Sequence, residues 1–152
     1  MKGYSFIELL IVSALVAILA GAVMPLTKVT LQRQREEHLR RALREMRTAI
    51  DHFKDQADLG NIATIDLGDK SEGYPPDLET LVEGVPAAND ESGRKLKFLR
   101  RVPIDPMTGS AEWRLRSYQD DTDARTWGGE NVFDVHSLSQ GQALDGTFYG
   151  DW

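Results

Sequence analysis

Cysteine is absent from the 152 residues, so neither disulfides nor thiolate-bound metals can hold the fold, and redox chemistry says nothing of the compartment. Histidine is scarce: His38, His52 and His136 lie far apart and show no metal-ligand spacing. No Ser/His/Asp arrangement, nucleophile elbow or phosphate-binding loop occurs, which leaves a secreted enzyme without a catalytic constellation. Asp120, Asp121 and Asp123 lack the spacing and the closing Glu of an EF-hand and read as a solvated turn. The absence that organises the chain is one of charge, for no residue from Leu9 to Thr27 carries any.

Tyr4 to Leu26, at about 1.5 Å per helical residue, spans roughly 34 Å, against about 30 Å for a bilayer core. The run therefore predicts a membrane-spanning helix over residues 4–26. Glu8 lies inside that segment and not at its flank. A carboxylate in the apolar part of a membrane costs about 2.5–3.5 kcal/mol, so it normally has a partner or a task. An α-amine released by cutting after Gly3 is one such partner; a side chain that snorkels to the headgroups is the alternative. Lys2, the apolar run and Ala20-Gly21-Ala22 also read as an ordinary signal peptide cut before Val23, against which stand Glu8 and the length of the run.

The stretch Gly3-Tyr4-Ser5-Phe6-Ile7-Glu8-Leu9-Leu10-Ile11-Val12 resembles the class III signal of type IV pilins and of the pseudopilins of type II secretion. The resemblance implies a prepilin peptidase that cuts between Gly3 and Tyr4 and methylates the new N-terminus, leaving Glu8 as the fifth residue of the mature chain. Pro25 falls where that family also places a proline. Tyr4 replaces the usual Phe but keeps an aromatic ring, and Lys2 alone supplies the positive charge of the short leader, residues 1–3.

Beyond the apolar run the charge is split. Lys28 to Arg47 holds seven basic and three acidic residues, a surplus of +4; Thr48 to Trp152 holds ten basic and twenty acidic, a deficit of −10. Lys2 and Glu8 cancel, which returns the net charge of −6. A basic neck carries an acidic head, and the acidic head speaks against nucleic acid as a partner. In the neck, Glu36 with Arg40 and Glu37 with Arg41 stand at the spacing that supports a helix by about 0.2–0.5 kcal/mol per pair.

Leu39, Ala42, Leu43, Met46, Ile50, Phe53 and Ala57 recur at helical spacing and predict an amphipathic continuation over 27–59 whose stripe packs on the head, with Gly60 as its stop. Pro25 either ends the first helix or bends a continuous one. Residues 60–152 form the head. Asn61–Gly73 reads as loop, Tyr74-Pro75-Pro76 leads into a short helix with Leu78, Leu81 and Val82 inward, and Val85–Arg94 reads as loop again. Pro103 and Pro106 exclude a regular central strand from Lys97–Gly109. Ala111–Tyr118 and Asn131–Leu138 read as strands, with an edge strand expected around Thr147-Phe148-Tyr149. Such strands need the Leu39–Ala57 stripe as a floor.

Tyr74-Pro75-Pro76 and Leu99-Arg100-Arg101-Val102-Pro103-Ile104-Asp105-Pro106 are similar to the head of the major pseudopilin of type II secretion, and the missing Cys pair separates the chain from many type IV pilins. That subfamily is known for Ca²⁺ in the loop after the last strand. Here Gln140-Gly141-Gln142-Ala143-Leu144-Asp145-Gly146 replaces most of the acidic loop, so no metal or other cofactor is expected; Asp145 and Asp151 are the carboxylates left as candidate Ca²⁺ ligands. The resemblance implies an α+β, pilin-like fold, a long N-terminal helix packed on a small antiparallel β-sheet, and a structural, non-enzymatic role. It implies a single-pass protein of the inner membrane with a periplasmic head, surrounded by lipid before assembly and polymerised with itself into a periplasmic pseudopilus, Glu8 meeting a neighbour's Tyr4 amine. Prepilin peptidase, the inner-membrane secretion platform and minor pseudopilins are the implied partners. A type IV pilin and a monomeric membrane-anchored binding module are the alternatives.

Overall fold

Between Leu26 and Leu59 the sequence has neither glycine nor proline, and nothing interrupts helical hydrogen bonding there. The computed structural model describes residues 5–62, 67–68, 70–88 and 92–152, without the side chains of 21–27. In it, helix α1 runs Phe6–Asp58, about 80 Å by its residue count. Position 25 lies inside α1, so Pro25 does not end the helix. Gly60 stops it as expected: with φ at +70° its N–H bonds to Ala57 O at 3.0 Å, and the Asn61 N–H to Gln56 O at 2.9 Å, the paired bonds that close a helix on a left-handed residue.

All seven residues of the predicted stripe are buried, and Ala49 joins them. Against this face the head brings Ile62, Leu78, Leu81, Val85, Leu99, Trp113, Val132, Val135, Ala143 and Tyr149. The short helix α2, Leu78–Glu83, starts on Asp77, whose carboxylate accepts from the Thr80 N–H at 2.7 Å and the Thr80 hydroxyl at 2.6 Å, satisfying a free donor of the first turn.

The single small sheet expected from the sequence is corrected to two separate antiparallel ribbons. β1, Val85–Pro86, in the stretch read as loop, pairs with β2, Lys95–Leu96, just beyond it. β3, Arg114–Arg116, pairs with β4, Asp134–His136, with Leu115 opposite Val135. The ribbons do not join because the chain leaves β2 at once: the N–H groups of Phe98 and Leu99 both bond to Leu81 O at 2.9 Å, and the prolines follow. β3 and β4 are shorter than predicted because buried Asn131 takes over the pairing. Its side chain accepts from the Tyr118 N–H at 2.9 Å and donates to Lys70 O at 2.9 Å, while its carbonyl accepts from the Ser117 hydroxyl at 3.0 Å. The edge strand around Thr147–Tyr149 is also corrected. Only a single bridge, Gln142 with Phe148, forms, and Tyr149–Asp151 closes into a 3₁₀ turn. The architecture is α+β, a long N-terminal helix with two small antiparallel sheets.

Candidate functional site

The first stretch of α1 has no cover. Phe6, Ile7, Leu9, Leu10, Ile11, Val12, Leu15, Val16, Ile18 and Leu19 are all exposed, an apolar surface far beyond the scattered residues usual on a soluble fold. Glu8 stands in the first turn of α1, exposed and without an ion-pair partner among the described residues. A carboxylate there is favoured by the partial positive charge of the helix start. Gly3 and Tyr4, the predicted processing residues, lie outside the described residues, as does part of the predicted span 4–26. Among the described residues no helix is long and apolar enough to cross a membrane.

Further along α1, polar residues beside the apolar stripe grip the C-terminal segment. Gln32 Nε2 donates to Gln142 O at 3.2 Å and to the Tyr149 hydroxyl at 3.0 Å. That hydroxyl donates to Glu36 Oε1 at 3.0 Å, which also accepts from the Leu144 N–H at 2.9 Å. Burial pushes the Tyr149 phenol up, and the neighbouring Glu36 carboxylate adds to this against the hydrogen bond from Gln32. Arg40 stacks over the Trp152 ring at 4.2 Å and reaches Asp145 at 3.7 Å. Neither Glu36 with Arg40 nor Glu37 with Arg41 forms an ion pair among the described residues, although their spacing allows it; Glu36 and Arg40 are turned toward the head instead.

Arg47 ends this polar row. Its Nε meets Asp134 Oδ1 at 2.7 Å, and its Nη2 donates to Val135 O at 2.9 Å and Trp152 O at 2.6 Å. Asp134 also receives Arg116 Nη2 and His136 Nε2, each at 3.2 Å. Burial alone would raise the Asp134 carboxyl, but the hydrogen bonds from His136 and Arg47 and the charge of Arg47 outweigh it and hold the carboxyl far below the usual range. Arg116 Nε and His136 Nδ1 are buried without a partner among the described residues. Sequence reading missed this clamp. Its signal was present as the row Gln32, Glu36, Arg40 and Arg47, which recurs at helical spacing beside the apolar stripe.

Asp145 and Asp151 have different occupations. Asp145 Oδ1 accepts from the Thr147 hydroxyl at 2.6 Å and the Thr147 N–H at 3.0 Å. These bonds, Thr147's first, and the charge of Arg40 lower its carboxyl. Asp151 lines a hollow of about 520 Å³ with Arg114, Arg125, Ser137, Ser139 and Phe148. The guanidinium of Arg114 donates to Gly150 O in that hollow, so a fixed cation already serves the carbonyl. Among the described residues no group of three or more His, Cys, Asp or Glu is placed to hold a metal ion.

Comparison with family models, with curated proteins and with solved structures gives no match.

Proposed function

We propose that the chain is the structural subunit of a type II secretion pseudopilus, pilin-like in fold, cut after Gly3 and polymerised through the first part of α1. The observation that carries this reading is the division of one continuous helix. The stripe from Leu39 to Ala57 is buried in the head, while Phe6 to Leu19, on the same helix, is apolar and exposed. A rod of that kind needs lipid or its own copies to cover it, and the resemblance at Gly3–Val12 supplies a route from one to the other. In the membrane the apolar face meets acyl chains. In the filament it meets the same face of neighbouring helices, and Glu8 meets the α-amine of Tyr4 on an adjoining copy. Burying both charges together offsets the cost of burying either alone.

The test has two parts. Mass spectrometry of the N-terminal peptide from the native producer is expected to find a chain that begins at methylated Tyr4. Glu8→Ala is expected to leave membrane insertion intact and to abolish filament formation or scramble its register, because the amine is then buried unpaired. A native protein that keeps Met1, or a normal filament yield from Glu8→Ala, overturns the reading.

A further inference from the structure

Arg40, Arg47, Arg114 and Arg116 are occupied with carboxylates, carbonyls or aromatic rings. Three arginines that cluster elsewhere are not. Arg41 and Arg44 on α1 and Arg100 beyond β2 are exposed, form no ion pair among the described residues, and converge on one groove of about 560 Å³. Its floor is Ala49 and Leu99, both buried, and the Phe98 ring packs edge-on against His52 at 5.4 Å. Among the described residues that line it, Glu45 is the one acidic residue. Three guanidiniums around a partly apolar floor suit carboxylates, which they can hold through paired N–H donors.

We infer that this groove docks the acidic turn Gln119–Ala124 of a second copy of the chain, through Asp121 and Asp123. Asp120 is spent inside the turn, accepting from the N–H groups of Ser117 at 2.7 Å and Gly128 at 3.1 Å. Asp121 and Asp123 are exposed and unpaired among the described residues, and the Ala124 N–H to Asp121 O bond at 3.0 Å fixes the turn that presents them. A second copy is the occupant because charge complementarity is built into the chain: a +4 neck and a −10 head travel together. The groove and the turn share no residue, so the contact joins two different patches. A contact of that kind, repeated head to tail without closing into a ring or a two-fold pair, builds a filament. The inference deepens the pseudopilus reading and rests on it for the stacking of subunits.

The absence of cysteine gives a clean test on the full-length protein in membranes. Thr48→Cys places a thiol in the groove and Thr122→Cys places one between the two carboxylates. Oxidation is expected to yield a cross-linked dimer when both variants are produced together and none from either alone. Arg41→Glu with Arg44→Glu is expected to lower that yield about tenfold, and adding Asp121→Lys with Asp123→Lys on the other variant to restore it. Thermal melts of the same variants confirm that these exposed substitutions leave the fold intact. A yield no higher than that of a Thr48→Cys and Glu112→Cys control, or one indifferent to charge reversal, overturns the inference. So does retention of the groove's charge dependence only in binding to phosphatidylglycerol vesicles, which assigns it to lipid. Filament formation is scored separately: filaments without the cross-link sink the docking alone, and the cross-link without filaments sinks the pseudopilus reading alone.

Discussion

Arg47 ties α1 to two parts of the head at once, to β4 through Asp134 and the carbonyl of Val135, and to the C-terminal residue through the carbonyl of Trp152. Removing it leaves a largely buried carboxylate short of its nearest partner and strands two carbonyls. Arg47→Met, which keeps the aliphatic stem, is expected to cost roughly 2–3 kcal/mol in urea unfolding. The pH dependence follows from the depressed Asp134 carboxyl. Its folded pKa lies below its unfolded value of about 4, so its contribution is complete above that value and is lost as pH falls through and below it. Stability measured from pH 6 down to pH 2 is expected to fall less steeply in Asp134→Asn than in the native chain. Residue identity alone did not mark this clamp, because arginines on a helix flank read as solvated; only the helical spacing of Gln32, Glu36, Arg40 and Arg47 carried a signal. By contrast Asp145, singled out from the sequence as a leftover metal candidate, caps its own turn through Thr147. With Arg114 on Gly150 O, the melting temperature is expected to be the same in Ca²⁺ as in chelator; a rise with Ca²⁺ would restore the metal reading.

At the scale of elements, α1 has two halves with opposite sensitivities. Phe53 is fully buried, and Phe53→Ala is expected to destabilise the head by about 3–5 kcal/mol. Leu10 is exposed, and Leu10→Ala is expected to leave head stability unchanged in the same unfolding measurement while weakening assembly. The β1–β2 ribbon rests on one glycine. Gly84, at φ +81° and ψ 160°, passes so close to β2 that an added Cβ would stand 2.6 Å from Leu96 O. Gly84→Ala is expected to cost more than about 2 kcal/mol, through both backbone strain and the clash. Gly60→Ala, also at positive φ but with nothing within 4 Å of the added Cβ, is expected to cost only about 1–2 kcal/mol; equal losses at the two sites would refute the clash. The stripe, the stop at Gly60 and the Leu78–Val82 helix were legible because each follows from local spacing. The β1–β2 pair was not, since two residues per strand leave no period to read and Pro86 argues against a strand.

For the molecule as a whole, the apolar run, the basic neck and the acidic head divide the chain into a part that seeks cover, a part that connects and a part that faces water. Those divisions are properties of composition along the chain, and the sequence determines them by itself, as it does the stripe by which α1 enters the head. Hydrophobic burial is nearly indifferent to orientation, so a pattern of apolar residues suffices to announce it. Which charges would be spent inside the fold and which left outward was decided only by tertiary structure. Arg40, Arg47, Arg114 and Arg116 are engaged while Arg41, Arg44 and Arg100 are not, and no local rule distinguishes the two sets. Hydrogen bonds and ion pairs depend on distance and angle between groups remote in the chain. Glu36 therefore passes over Arg40, four residues on, for the Tyr149 hydroxyl more than a hundred residues away, because packing Leu39 and Leu43 into the head brings that hydroxyl within 3.0 Å.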